Sequence, residues 1–285
     1  MTIAVIIIGD EILSGKRQDK HLAKIIEFLN LRGMQLSEVK YLGDDLHILA
    51  KNFKLSFDSY TDKNDLVICC GGIGGTPDDK TRQACAIALN QELVLHSKAK
   101  EQILIRIKQM QLQNKAPQDF NHSENLQRLT MGEFPVNADI IPNNYNNIPG
   151  FSISNHFFVP GFPVMSWPMI EWILDTKYKH LHHTNIVQTL SCFVPLIQES
   201  QLSAILFELE KNFKDITTFS LPSFGKNIRN NDNLEIDMGK ESEWQTKPYI
   251  EVGVKGKSPS SKLLSTAFTQ LTQKIKNLGY TIIDN

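Results

Sequence analysis

Hydrophobic positions in the first half of the chain follow two alternating patterns, continuous apolar runs and apolar residues at helical spacing. The runs predict strands that are buried on both faces, and the spacings predict a helix after each strand. The predicted strands are 3–8, 36–42 and 65–70, and the predicted helices are 19–31, 46–57 and a segment through 84–89. This alternation indicates an α/β fold with a doubly wound, mostly parallel sheet and right-handed crossovers.

The pattern continues to residue 179 and restarts near residue 186. Before the break, it predicts helices at 98–113 and 167–179 and short strands at 139–142 and 151–160. After the break, it predicts strands at 186–194, 249–254 and 280–283, helices at 199–213 and 260–278, and a polar loop at 227–233. We therefore expect a first domain over 1–178 and a second, smaller α+β domain over 186–285.

The composition narrows the possible function classes. A formal net charge of −1 gives no overall field that would attract nucleic acid or an anionic membrane, so we expect neither as a partner. The four cysteines show no C-x-x-C spacing, and no apolar run approaches the roughly 20 residues of a membrane span. We therefore expect a reduced, cytoplasmic protein.

A glycine-rich segment, residues 71–79, follows the third predicted strand. Four of its first five residues are glycines: Gly71, Gly72, Gly74 and Gly75. Glycines here let the backbone approach a ligand closely. Thr76, Pro77 and Asp79 fit the N-cap, N1 and N3 positions of the next helix, whose free N–H groups attract anions. The segment lacks the Gly-Lys-Ser/Thr of a Walker A loop, yet it predicts a phosphate site.

The acids of this segment, Asp78 and Asp79, admit more than one interpretation. They fit a capping arrangement alone, in which carboxylates complement the helix dipole. Capping does not account for four glycines, because a strand-to-helix turn needs one or two. Beside a bound phosphate the carboxylates require either a bridging divalent cation or hydroxyl and amino donors from the ligand. The sequence leaves both arrangements open.

A second loop, residues 9–15, carries Asp10 and Glu11 directly after the first strand, and Asp44 follows the second strand. Taken alone, this loop is a turn with exposed acids. In a sheet ordered two-one-three, however, the carboxyl ends of the first and third strands form the crevice in which α/β sheets bind ligands. We therefore expect both loops to face one site, where Asp10, Asp44 and Asp79 converge.

These segments together resemble one protein family. The residues that carry the resemblance are 9–15, 43–44, 71–81, 138–143, 149–151, 159–163, 199–200, 220–223 and 249–253. They are similar to the molybdopterin-binding (MoaB/Mog-like) domain family, in the version found in the N-terminal region of competence/damage-inducible (CinA) proteins. The resemblance covers nearly the whole chain, and we expect no counterpart of the deamidase domain of longer members. Lys20 and Gly75 depart from the residues usual in the family.

The resemblance implies a MoaB/Mog-like first domain that binds a nucleotide or pterin phosphate, and a KH-type second domain. It implies catalytic acids at Asp44, Asp79 and Asp10. The ligand-binding residues that it implies are Gly9, Glu11, Ser14, Gly15, Asp19, Gly71, Gly72, Gly74, Gly75, Thr76 and Asp78. In CinA-like members this region is associated with metal-dependent cleavage of the ADP-ribose pyrophosphate, and in Mog-like members with molybdopterin.

Our leading hypothesis is a hydrolase in which a divalent metal (Mg²⁺, Mn²⁺ or Co²⁺), held by Asp44 and Asp79 with Asp78 beside them, polarises a pyrophosphate. The rival is a binding module that carries or senses molybdopterin or a nucleotide without turning it over, linked to molybdenum cofactor metabolism. A third interpretation is a structural remnant whose dimerisation matters more than its pocket. We expect a homodimer and a small phosphorylated ligand.

Overall fold

The computed structural model of this protein describes residues 1–184, 187–225, 243–257 and 261–284. The chain divides into two compact units, residues 1–183 and 184–285. The polar loop predicted at 227–233 lies outside the described residues, as do the first residues of the strand predicted at 186–194 and the helix predicted at 260–278. Among the described residues, no helix combines the length and apolar character that crossing a membrane requires.

The first unit is built on a six-stranded sheet. Its strands are β1 (Ile3–Ile8), β2 (Glu38–Leu42), β3 (Leu66–Cys70), β6 (Asp139–Ile141), β7 (Gly150–Ile153) and β8 (His156–Val159), while β4 (Leu93–Leu95) and β5 (Glu133–Pro135) pair separately. The sheet order is β2-β1-β3-β8-β7-β6, with the first four strands parallel and the last two pairings antiparallel. The predicted doubly wound, mostly parallel fold and its two-one-three order are confirmed.

Helices cover both faces of this sheet. They are α1 (Asp10–Leu13), α2 (His21–Leu31), α3 (Leu46–Ser59), α4 (Thr81–Leu89), α5 (Ser97–Leu112), α6 (Ser123–Thr130) and α7 (Pro163–Thr176), followed by a 3₁₀ turn at Lys179–Leu181. Even-numbered residues of β1 join a core with α3 and α4, and odd-numbered residues join a core with α2 and α7. Because both faces of β1 are buried, the strand is apolar at every position.

The middle of the first unit departs most from the sequence-based prediction. The β4–β5 pair and α6 were not predicted, because elements this short show no sustained hydrophobic period. The strand predicted at 151–160 is a hairpin of β7 and β8, joined through Ser154 with φ of 52°. Helix α7 begins at Pro163 rather than at residue 167, since proline fits the first turn of a helix.

In the described part of the second unit, the strands and α-helices follow the order βαββαβ, with a 3₁₀ turn at Glu243–Thr246. They are β9 (Val187–Pro195), α8 (Glu199–Asn212), β10 (Ile216–Ser223), β11 (Tyr249–Lys257), α9 (Ser261–Asn277) and β12 (Ile283–Asp284). The sheet order is β10-β11-β9-β12, every pair is antiparallel, and both helices share one core with the sheet. The predicted small α+β domain is confirmed, and its βαββαβ order with an antiparallel sheet is the arrangement of ferredoxin-like domains. The strand β10 was not predicted, because its threonine, serine and proline residues do not form the apolar pattern of a buried strand.

Candidate functional site

A cavity of about 450 Å³ opens at the carboxyl ends of β1 and β3, where the strand order reverses. Most of the predicted site residues line it: Gly9, Glu11, Asp44, Gly71, Gly72, Gly74, Gly75, Thr76, Asp78 and Asp79. The structure therefore brings the glycine-rich segment, the first loop and Asp44 to one place. We call this space the glycine-loop cavity.

The glycine loop, residues 71–75, presents free backbone donors at this cavity. The N–H group of Gly71 donates to the Val159 carbonyl at 3.0 Å, which fixes the loop to the end of β8. The N–H groups of the next four residues, 72–75, donate to no acceptor in the part of the chain that the structure describes. Free N–H donors that line a concave site are the arrangement with which proteins hold phosphate oxygens.

Residues 76–79 form a tight turn, which corrects the prediction that they begin the next helix. The backbone N–H and the hydroxyl of Thr76 both donate to Oδ2 of Asp79, at 2.9 and 2.5 Å. The N–H of Asp79 donates back to the Thr76 carbonyl at 3.0 Å. Helix α4 starts only at Thr81, and Lys80 before it makes no side-chain cap. The Thr76 hydroxyl is thus a donor to Asp79 and not an acceptor for helix N–H groups.

Two side chains hold carbonyl groups of the glycine loop from the protein side. Arg82 of α4, only 3% exposed, donates to the Gly74 carbonyl at 2.6 Å and to the Thr130 carbonyl. Gln127 of α6 donates to the Gly75 carbonyl at 2.8 Å. Because a trans peptide directs its N–H opposite to its C=O, fixing the Gly74 carbonyl also fixes the direction of the next N–H. Neither side chain was predicted to support the site.

Replacing Arg82 by methionine is expected to lower both the free energy of unfolding and the affinity for pyrophosphate. Methionine fills the buried space but leaves the carbonyls of Gly74 and Thr130 without this donor. The loss of hydrogen bonds from a charged group costs about 1.5–3 kcal/mol. Denaturant titration and calorimetry measure the two effects, with Lys108→Met, an exposed helical position, as the control. Equal stability of the two variants would contradict a role for Arg82 in holding the loop.

Asp10 and Asp44 bridge the ends of β1 and β2. The N–H of Asp10 donates to Oδ2 of Asp44 at 2.9 Å, and the N–H of Asp44 donates to Oδ1 of Asp10 at 3.2 Å. The pKa of the Asp44 carboxyl is raised, mainly by burial and further by the charges of Asp10, Glu11 and Asp78, although the Asp10 N–H opposes the rise. A cation or a hydrogen-bond donor from a ligand would relieve this repulsion. Asp44 therefore faces the cavity with an unbalanced negative charge.

The acids do not complete a metal site by themselves. In the described ranges of the chain, no group of three or more His, Cys, Asp or Glu side chains is placed to hold a metal ion. The carboxylate of Asp79 is directed to Thr76, so the expected convergence of Asp79 with Asp10 and Asp44 is corrected. One or two carboxylates suffice for Mg²⁺ when substrate phosphates supply further oxygens. Asp44, with the charge of Asp78 near it, thus fits a cation only together with a bound phosphate.

Four predicted site residues do not line the glycine-loop cavity: Asp10, predicted as catalytic, and Ser14, Gly15 and Asp19, predicted to bind the ligand. Ser14 and Gly15 are exposed at the end of the single-turn α1. The carboxylate of Asp19 accepts two N–H groups at the start of α2, at 2.7 and 3.1 Å, and the hydroxyl of Tyr41 at 3.0 Å. Asp19 is therefore already engaged in capping α2.

Other residues on the cavity wall were missed by sequence reasoning. They are Arg17, Met131, Asn143, Asn146 and Met165, together with several apolar residues. Arg17 lies close in sequence to the first loop, and its positive charge was an available signal. The two asparagines stabilise their own turn, since Asn143 donates to Oδ1 of Asn146 at 2.9 Å. Asn143 belongs to the segment 138–143 that carries the family resemblance, whereas Asn146 had no local signal, because the fold alone brings it to the site.

Comparisons with known proteins agree on one family. A family described as a probable molybdopterin binding domain matches residues 4–180. A CinA-like protein of Syntrophotalea carbinolica is 29% identical over 186 residues, which cover 64% of this chain and 41% of that protein. The chain thus spans about two fifths of the length of that relative.

Two further comparisons cover more of the matched proteins. A protein of Pyrococcus furiosus is 30% identical over 233 residues, which cover 80% of this chain and 88% of that protein. Among solved structures, a CinA protein of unknown function from Thermoplasma acidophilum is 25% identical, with a TM-score of 0.49. That match covers 62% of this chain and 99% of the Thermoplasma chain.

Proposed function

We propose a function from the premise that this chain belongs to the family of probable molybdopterin-binding domains. Its first unit binds a small phosphorylated ligand, a nucleotide or a pterin, and the phosphate of that ligand lies on the glycine loop. A cytoplasmic homodimer is part of the same proposal.

The free N–H groups of residues 72–75 are the observation that supports this proposal most directly. Buried or half-buried N–H groups without acceptors cost free energy unless a ligand or water satisfies them. Phosphate oxygens accept several such bonds at once, and Arg17 on the same wall adds a positive charge. A phosphate therefore satisfies the donors that the fold leaves open.

Asp44 suggests a second component, a divalent cation. A cation bound between Asp44 and the ligand would supply positive charge that polarises the phosphate. Such a charge would favour the ionised form of Asp44 and so offset the burial and the neighbouring acids that raise its pKa. In its absence, Asp44 accepts hydrogen bonds from ligand hydroxyl or amino groups.

We extend the proposal to catalysis as metal-dependent cleavage of the pyrophosphate in ADP-ribose or a related nucleotide. The resemblance to CinA-like proteins and the charge of Asp44 support it. The alternative is a binding module that carries a nucleotide or molybdopterin without turnover. The small number of convergent acids among the described residues favours this alternative.

Calorimetric titration with ADP-ribose, first in EDTA and then in excess Mg²⁺, Mn²⁺ or Co²⁺, tests both forms of the proposal. We expect binding in every condition and an affinity at least tenfold higher with one of the metals, because the cation joins Asp44 to the phosphate. The Asp44→Asn variant is expected to lose this metal effect. Chromatography of the same mixtures detects hydrolysis products.

Each outcome separates the alternatives. Equal affinity in all conditions, without hydrolysis under any metal, would eliminate the hydrolase and leave the binding module. An absence of binding by ADP-ribose, pyrophosphate and pterin phosphates in all conditions would contradict the proposal as a whole.

A further inference from the structure

A second cavity of about 320 Å³ adjoins the glycine-loop cavity. The two share part of their walls, namely Ile8, Glu11, Arg17, Gly161 and Phe162. The second cavity lies between the end of β1 and the first residues of α2 and α7, and His21 is part of its lining. We call it the His21 cavity. The shared residues border both cavities, so the two lie side by side.

His21 is a buried polar side chain with an open hydrogen-bonding position. It is 5% exposed, and its Nδ1 has no hydrogen-bond partner in the described structure. Burial lowers the pKa of His21 more than the charge of Asp19 raises it, so the ring is neutral at pH 7. A neutral imidazole offers one donor and one acceptor. The fold thus places a neutral imidazole in the wall of the cavity, with a ring nitrogen that no described protein group satisfies.

The remaining walls indicate what kind of group the cavity accepts. Apolar side chains of Ile7, Ile12, Phe162 and Pro163 line it, while the cations Arg17 and Lys20 are exposed. A second phosphate would require buried cations or free N–H groups, and Asp19 already accepts the first N–H groups of α2. Glu11, Gln18, Asp19 and His21 also line the cavity, and an apolar surface beside such hydrogen-bonding side chains suits a flat heterocycle better than a second phosphate.

We propose that the His21 cavity binds the nitrogen heterocycle of the ligand whose phosphate lies on the glycine loop. Adenine and pterin share the required chemistry, a flat ring with adjacent donor and acceptor atoms. This inference rests on the proposed function, since it places the other end of the same ligand. His21 then discriminates ring-bearing ligands from simple sugar phosphates.

Calorimetry with three probes tests this assignment. ADP-ribose and neopterin phosphate carry a heterocycle, and ribose 5-phosphate carries none. We expect wild-type protein to bind at least one ring-bearing probe tenfold or more tightly than ribose 5-phosphate. His21→Leu replaces the imidazole by an apolar side chain in the His21 cavity. It is expected to lower that affinity at least tenfold and to change the affinity for ribose 5-phosphate by less than twofold. His47→Leu, at an exposed histidine, is the matched control.

Ile12→Trp is a second variant, at a half-buried residue in the wall of the His21 cavity, and its larger side chain fills the cavity. The test therefore does not depend on whether the His21→Leu protein folds. Ile12→Trp is expected to reproduce the selective loss. The ring-bearing probe that loses more affinity identifies the heterocycle. If both variants bind all three probes like wild type, this inference is wrong and the proposed function stands. If wild type binds none of the probes, both are wrong.

Discussion

Replacing Gly72 by alanine is expected to lower the affinity for pyrophosphate and ADP-ribose at least thirtyfold. Gly72 has a φ of +67°, which residues with a Cβ adopt at a cost of about 1–3 kcal/mol. A Cβ at this position would also collide with Oγ1 of Thr81 and lie 3.6 Å from Oδ1 of Asp44. The Thr81 hydroxyl donates to the Gly71 carbonyl at 3.0 Å, so relief of the collision shifts the loop that holds the free N–H groups.

Gly279→Ala is the matched control for this experiment. Gly279 has a φ of +86°, lies in the second unit, and has open space where its Cβ would stand. Both variants are expected to lose similar stability from backbone strain, but only Gly72→Ala is expected to lose ligand affinity. Unchanged calorimetric affinity in a folded Gly72→Ala protein would show that the loop backbone does not hold the phosphate.

Acidification from pH 6.5 to pH 4.5 is expected to destabilise the first unit strongly through His156. This side chain is fully buried, its Nε2 lies 2.7 Å from Oγ of Ser56, and its ring is 4.1 Å from that of Phe57. Burial lowers the pKa of His156 from 6.5 to about 3. Between these values the unfolded state binds a proton that the folded state does not, so stability falls as the pH falls. The slope rises to about 1.4 kcal/mol for each pH unit well below pH 6.5, so the loss over this interval is about 2 kcal/mol.

His156→Gln isolates this contribution because glutamine stays uncharged and can still bond to Ser56. We expect the variant to be less stable than wild type at pH 7 and to lose much less stability on acidification, with a residual slope from His21 and the carboxylates. In a Trp244→Phe background, fluorescence reports on Trp167 and Trp172, which lie in the first unit. His47→Gln serves as the exposed control. Parallel pH dependences for wild type and His156→Gln would contradict the assignment.

The position of the candidate site followed from the sequence because it depends on strong, local signals. The apolar runs of β1 and β3 identify strands buried on both faces, and the rule for strand order then places their following loops at one crevice. The glycines of the loop are visible in the sequence itself, so recognising them does not require knowledge of the residues that surround them in the fold. Loop identity and crevice location could therefore be predicted from residues close together in the chain.

The roles of single polar side chains could not be predicted in this way, because they depend on partners that the fold selects. Asp79 suited a helix cap by position, but its carboxylate closes a turn with Thr76. Asp19 suited a ligand contact, but it caps α2. Arg82 carried no signal for loop support, since its partner Thr130 lies 48 residues further along the chain. The sequence also carried no signal for a role of His21, because the burial of its ring depends on the folded cavity.

The pairing of β3 with β8 has a consequence for how the protein is made. β3 ends at Cys70, whereas the strand that covers its free edge spans His156–Val159, so a growing chain exposes an apolar edge strand through much of its synthesis. The first N–H of the glycine loop also has no acceptor until Val159 has emerged. Closing this distant pair is slow compared with forming the local helices before it. The ligand site is therefore incomplete until late in the synthesis of its domain, and chains interrupted before residue 159 carry the aggregation hazard of an open sheet.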